Sequence, residues 1–337
     1  MMTSWEAIIG QAEPIRRLRQ MLREDRLPHA LLLLGPAGVG KRLTAEAAAA
    51  TILCARPADA MPCGSCPSCQ ALQAGAHPNL YRLEPEKRGK AAPVLRIEAV
   101  RELQTDLSRA PAAVSAGRVV VIDGADRMNE AAANCLLKTL EEPGRQVVFL
   151  LIASARAALL DTVVSRCLVV PFGPLSEADI AHILTERGLA ADEAASLAAL
   201  SGGSAGRALT LHEDGALERR DDALRILASL PKFDMEHVWA EGKRLGALSA
   251  EELAEWLRFF RLALRDLLAL YSGGALRQRD IAGRLAPLVK EYPESRVFSL
   301  VALTSEAERR LLTSNANSRL LMEALLIQMT ETAEDAQ

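Results

Sequence analysis

Four cysteines, Cys54, Cys63, Cys66 and Cys69, fall within sixteen residues in the frame C-x8-C-x2-C-x2-C. Soft thiolates at this spacing suit a zinc ion, because each C-x2-C turn presents two sulfurs to one tetrahedral centre. Pro62, Gly64 and Pro67 supply the tight turns. Four protein ligands would close the site, which makes the expected zinc structural rather than catalytic. Cys135 and Cys167 stand apart from the cluster, on stretches that read as helical, and are expected to be small core residues.

A second chemical pattern lies just before the cysteines. Gly35-Pro-Ala-Gly-Val-Gly-Lys41 follows an apolar run and precedes a helical one, the context of a phosphate-binding loop. Gly35, Gly38 and Gly40 let backbone N–H groups approach phosphate oxygens, and Lys41 reaches the terminal phosphates. The loop wants a hydroxyl after the lysine to ligate Mg²⁺, and Arg42 stands there instead. Thr44 is two positions further and points elsewhere on the helix. Val119 to Asp123 has the form of a Walker B strand, with Asp123 placed as the remnant of a magnesium site. Where hydrolytic relatives of such a fold carry a water-polarising glutamate, Gly124 follows. Both losses argue against hydrolysis. The groups that would hold the phosphates of ATP or ADP remain, so binding stays open.

The elements that must position these groups alternate. Leu31–Leu34, Val119–Ile122 and Val147–Ile152 read as buried parallel strands, and Pro14–Arg23, Leu43–Leu53, Ile97–Leu107 and Ala131–Leu140 read as helices. That alternation predicts an α/β fold with a parallel sheet and helices on both faces. Glu84 to Pro93 reads as an exposed loop. After Pro171 strand signals fade. Ser176 is a helix start, Gly188 a stop, and Ser249-Ala-Glu-Glu252 a capping box that opens a long amphipathic helix up to Gly273-Gly274. Leu311 to Met329 reads as a last helix pair. The predicted domains are a base at 1–172 with a cysteine module at about 54–69, a small helical domain at 173–215, and an all-α domain at 216–337.

Composition narrows the function. Of 337 residues, 25% are charged and the formal net charge is -3, not the basic surplus of a protein that grips a duplex alone. A stand-alone zinc-dependent DNA-binding module is therefore disfavoured. Arg101, Arg109 and Lys138 are cations that could touch a phosphate backbone, although solvated helix-face cations are common. The first residues lack a signal-peptide layout and no run has the length of a membrane span, so a cytoplasmic chain with no membrane partner is expected.

Longer motifs carry a resemblance over nearly the whole chain. Ile9-Gly-Gln11, Pro28-His-Ala30, His77-Pro-Asn79 and Ile97-Glu-Ala-Val-Arg101 frame the phosphate loop and cysteine module. Asn134-Cys-Leu-Leu-Lys-Thr-Leu-Glu-Glu-Pro143 and Ser165-Arg-Cys167 follow, then Asn315-Ala-Asn317 and Leu321-Met-Glu-Ala-Leu325. This set resembles the clamp-loader subunits of bacterial DNA polymerase III, within the AAA+ class, and most closely their delta-prime branch.

The resemblance implies an AAA+ base, a helical lid and a helical collar in a pentameric assembly. It implies gamma/tau and delta subunits and the sliding clamp as partners, with primer-template DNA met mainly through the complex. It also implies that Arg166 is an arginine finger reaching a neighbour's ATP. The lid arginine called sensor 2 falls out of step: Gly206 takes its position and Arg207 comes one residue later. Ser154 lies in the sensor 1 region. Arg42 and Gly124 fit the delta-prime stator better than the alternative, an ATP-hydrolysing motor subunit or other AAA+ loader.

Overall fold

The structure, a computed structural model, describes residues 4–87, 89, 92–112, 117–144, 146–313 and 317–331. Asn315 and Ala316 of the expected collar motif, and part of the expected Glu84–Pro93 loop, lie outside the described residues. Backbone contacts group the chain into two compact units, one up to Gly188 with Gly202–Arg207, the other Leu189–Ser201 with Ala208 onward.

The first unit is a parallel sheet wrapped by helices. Its elements run α1 (Ala12–Arg23), β1 (Ala30–Leu34), α2 (Lys41–Leu53), α3 (Pro67–Gln73), β2 (Leu80–Leu83), α4 (Ile97–Ser108), β3 (Arg118–Asp123), α5 (Glu130–Glu141), β4 (Val147–Ala153), α6 (Asp161–Val164), β5 (Leu168–Pro171) and α7 (Glu177–Glu186). The sheet order is β2-β3-β4-β1-β5, all parallel. The three apolar runs form its interior because both faces of a parallel sheet are covered, so their side chains need no alternation. Leu31, Leu32, Leu33, Val119, Val120 and Ile122 are buried essentially completely.

Register decides what meets at the carboxyl edge. Leu34 pairs with Ala153 and Asp123 with Ile152, so β1, β3 and β4 end side by side. In open α/β sheets this edge is where ligands bind. The phosphate loop leaves β1 there and runs straight into α2.

The second unit is helical: α8 (Ala191–Leu200), α9 (from Ala205 to Glu213, with its body here), α10 (Ala216–Ser229), α11 (Met235–Leu245), α12 (Ala250–Tyr271), α13 (Ala282–Leu285), α14 (Glu294–Thr313) and α15 (Ser318–Glu331). The expected capping box is present: the Ser249 hydroxyl accepts from Glu252 N–H while the Glu252 carboxylate accepts from Ser249 N–H. Trp256 and Phe260 stack at 5.3 Å in the core. The Trp256 indole donates to Asp222 at 2.9 Å. The fully buried Asp266 accepts backbone N–H groups from Arg277 and Gln278. The last helices are longer than the sequence pattern suggested, with α14 beginning at Glu294.

Two expectations change. Cys167 is not helical but sits in the turn between α6 and β5, where the chain must reverse before the edge strand. Neither Cys135 nor Cys167 is fully buried. Cys135 is held by its neighbour Gln104, and burial alone pushes the Cys167 thiol up to about 11.

Candidate functional site

Gly38 and Gly40 take the left-handed backbone that the loop needs, at φ of 72° and 98°. The loop does not stand open. Gly206 N–H donates to Gly38 O at 3.0 Å, and the Ser204 hydroxyl donates to Ala37 O at 2.8 Å. A Cβ on Gly206 would lie 2.9 Å from the Gly38 Cα. The residue at the expected sensor 2 position therefore touches the loop with bare backbone. Lys41 is buried, and its ammonium donates to the carbonyls of Gly35 and Pro36. That burial holds its pKa below the ordinary lysine value, against the pull of Asp123 and Asp126. Thr44 turns away from the loop's mouth: its hydroxyl donates to Gly40 O at 3.0 Å.

Arg42 occupies the corner that joins α2 to the strand ends. Its guanidinium lies 2.7 Å from Glu84, 3.4 Å from Asp123 and 3.4 Å from Glu46. Burial works against the arginine charge, but Glu84 and Asp123 beside it more than offset this and raise its pKa. Asp123 shows the opposite balance. Burial raises its pKa, and the neighbouring guanidinium recovers only part of that cost.

Gly124 has φ of 76°, and a Cβ built there would lie 2.9 Å from the Pro85 ring. A side chain at this position would be both strained and obstructed. Next to it, Asp126 accepts the N–H groups of Ser154 and Ala155 at 3.0 Å each, which fixes the turn after β4. Ser154 is thus placed at the end of β4 through its backbone.

The cysteine cluster assembles as its spacing predicts. All four sulfurs lie within 4.8 Å of one another, and Cys54 Sγ is 4.0 Å from Cys66 Sγ. A tetrahedron with Zn–S of about 2.3 Å has sulfurs about 3.8 Å apart, so the quartet fits a zinc-sized ion. Backbone N–H groups already point at the sulfurs: Arg56 and Cys63 donate to Cys54, and Cys69 donates to Cys66. Such bonds favour thiolates. Burial pushes the Cys69 thiol up to about 12, whereas the backbone N–H groups of Ser65 and Cys66 hold the exposed Cys63 down to about 6. The module is tied to the sheet behind it. Ser68 donates to Leu53 O at 2.5 Å and bonds His77 at 2.8 Å. His77 in turn accepts from Asn79 N–H, and Val119 N–H of β3 donates to Asn79 O.

Arg166 stands in the turn after α6, partly exposed. One arm donates to Thr162 O at 2.9 Å and the other pairs with Glu141 at the end of α5. The guanidinium is thereby held at the surface of the first unit. Arg109 pairs with Asp106 at 2.8 Å.

These sites can be set beside known proteins. The family described as DNA polymerase III, delta subunit, matches residues 10–176. The DNA polymerase III subunit delta' of Pseudomonas aeruginosa is 34% identical over 89% of this chain and 91% of its own length. The chain belongs to the delta-prime subunit family of DNA polymerase III. The Escherichia coli subunit delta' is 33% identical, covering 89% of this chain and 88% of that one. The Bacillus subtilis subunit delta' is 29% identical over 98% of this chain and all of its own length.

Within this delta-prime family member, sequence reasoning missed two side chains. Glu84 lay in a segment read simply as loop. Its signal was its place just beyond β2, beside the Walker B strand. Glu141 lay inside the quoted Asn134–Pro143 motif but received no role. Its position 25 residues before Arg166, with β4 and α6 between them, gives no hint of contact until α5 and α6 are packed. Among the described residues no helix is long and apolar enough to cross a membrane.

Proposed function

We propose that this chain is the non-hydrolysing, delta-prime-type subunit of a cytoplasmic DNA polymerase III clamp loader. Its base, lid and collar correspond to 1–172, 173–215 and 216–337. It assembles with gamma/tau and delta subunits, acts on the sliding clamp, and meets primer-template DNA through the complex. Its contribution to ATP turnover is made in trans. Arg166 is presented to the ATP of a neighbouring motor subunit, where a guanidinium stabilises charge on the transferring phosphate. Glu141 and Thr162 O hold that guanidinium in place until the neighbour is met. Cys54, Cys63, Cys66 and Cys69 hold a structural zinc, which cross-links the end of α2 to the start of α3.

The observation that carries the non-hydrolysing reading is Gly124. Its left-handed backbone against Pro85 disfavours the acid that would orient an attacking water. The alternative motor reading needs that acid and a hydroxyl after Lys41, and the chain has neither.

The test has two arms. The purified chain is expected to show no ATP turnover while carrying about one zinc. In the reconstituted complex, Arg166→Ala is expected to leave assembly intact and slow the served site on the order of 10³-fold. Magnesium-dependent turnover by the chain alone that disappears in Lys41→Ala would make it a motor. Unchanged turnover of the Arg166→Ala complex would remove the finger role.

A further inference from the structure

The phosphate loop and its Walker B aspartate imply a divalent ion, and the residues present do not fit one. An Mg²⁺ site here needs a hydroxyl after the lysine and a carboxylate oxygen free to reach the metal or its waters. The hydroxyl position is Arg42, and its guanidinium lies against the Asp123 carboxylate at 3.4 Å. Its other arms reach Glu84 at 2.7 Å and Glu46 at 3.4 Å. Three carboxylates from α2, the segment after β2 and the end of β3 thus converge on one cation, and that cation is covalently part of the chain.

We propose that Arg42 is a resident replacement for the divalent ion: its guanidinium occupies the metal's place at Asp123 and closes the corner to Mg²⁺ and Mn²⁺. Glu84 and Asp123 are then partners of a guanidinium rather than leftovers of a metal site. Charge agrees with the geometry. Lys41 and Arg42 face Glu46, Glu84, Asp123 and Asp126, so the corner is net negative even with Arg42 present. A net-negative corner repels a polyphosphate and draws in a cation. The demand for a cation is met internally, at a distance where a planar guanidinium can bridge several carboxylates at once. The loop agrees as well, since Ser204 and Gly206 already bond its crest at Ala37 and Gly38. This inference concerns the chain's own loop and stands whether or not Arg166 acts in trans.

The prediction inverts the usual effect of a mutation at this position: removing Arg42 should create a metal site. Mn²⁺ binding is measured by electron paramagnetic resonance on the zinc-loaded full chain, with and without ADP. Hard Mn²⁺ does not compete for a thiolate quartet that zinc fills. Wild type is expected to bind no Mn²⁺. Arg42→Thr, which restores the hydroxyl and frees Asp123, is expected to gain about one Mn²⁺ per chain. Arg42→Thr combined with Asp123→Asn is expected to lose it again. Circular dichroism melts establish that each variant is folded. Mn²⁺ bound by wild type and abolished by Asp123→Asn would overturn the proposal. So would a folded Arg42→Thr chain that takes no Mn²⁺ in either condition.

Discussion

The cysteine module and the phosphate-loop corner lie at opposite ends of α2, and both gather groups that suit a cation. At the C-terminal end, four sulfurs within 4.8 Å of one another keep every group a metal needs. At the N-terminal end, the hydroxyl has become Arg42 and the cation is a side chain. As we propose, one helix therefore carries an intact site and an exchanged one. The difference is in what each site does for the fold. The cysteines bring a short module, α3, to the end of α2, and with so small a core the proposed metal would supply the cross-link that packing cannot. The corner at Arg42 is already backed by the sheet, so it tolerates exchanging its ion for an ion pair.

The largest effect expected is at the intact site. Cys69→Ser should abolish metal binding and destabilise the module by several kcal/mol, because the buried thiolate is lost and its three partners are left without an ion. Elemental analysis and thermal melting read both consequences. A variant that melts like wild type without its metal would end the contrast between the two ends of α2.

Gly124→Glu is the sharper test of the exchanged site. It restores the missing acid in name, yet the left-handed backbone alone should cost about 1–2 kcal/mol, and the Pro85 ring must move as well. We expect lower stability and no gain of ATP turnover in a steady-state phosphate-release assay. Turnover in this variant would mean that only the acid had been lost and that the corner is otherwise competent.

The smallest effect concerns Asp123. Its pKa is raised by burial, so its ionised form is held at a cost that Arg42 offsets only in part. A carboxyl whose folded pKa is raised gives the fold stability that is present below its unfolded pKa and lost as pH rises through the folded one. Asp123→Asn, which cannot ionise, should therefore be within about 1 kcal/mol of wild type near neutrality. Wild type should gain on it as pH falls through the carboxylate range. Urea melts at stepped pH measure this. A large loss at neutrality would mean that the pair with Arg42 outweighs burial.

The legibility of the chain follows the same local-versus-distant divide. The cysteine quartet could be read from spacing because its ligands are neighbours in sequence. The three inner strands could be read because burial on both faces leaves an unbroken apolar run. The two strands that gave no signal, Leu80–Leu83 and Leu168–Pro171, are the edges of the sheet. There one side is open, so the polar Arg82 and the terminal Pro171 are tolerated and the pattern blurs. The Arg42 corner was legible only as a loss. What replaced the metal depends on Glu84 and Asp123, which reach α2 only through the sheet's register. Arg166 was singled out by its motif alone, whereas its contact with Glu141 depends on the packing of α5 against α6.

The contact between Gly38 and Gly206 couples what the two positions can accept. Each glycine sits where the other's missing side chain lets two backbones touch, and Gly206 N–H completes the closure on Gly38 O. An arginine at position 206 would meet the Gly38 backbone with its own Cβ. A loop moved to admit that arginine would first forfeit the bond from Gly206 N–H to Gly38 O. No single substitution at either glycine adds a side chain without parting the two backbones. The closure therefore binds two distant positions to one another: either residue can gain a side chain only if the other's backbone gives way.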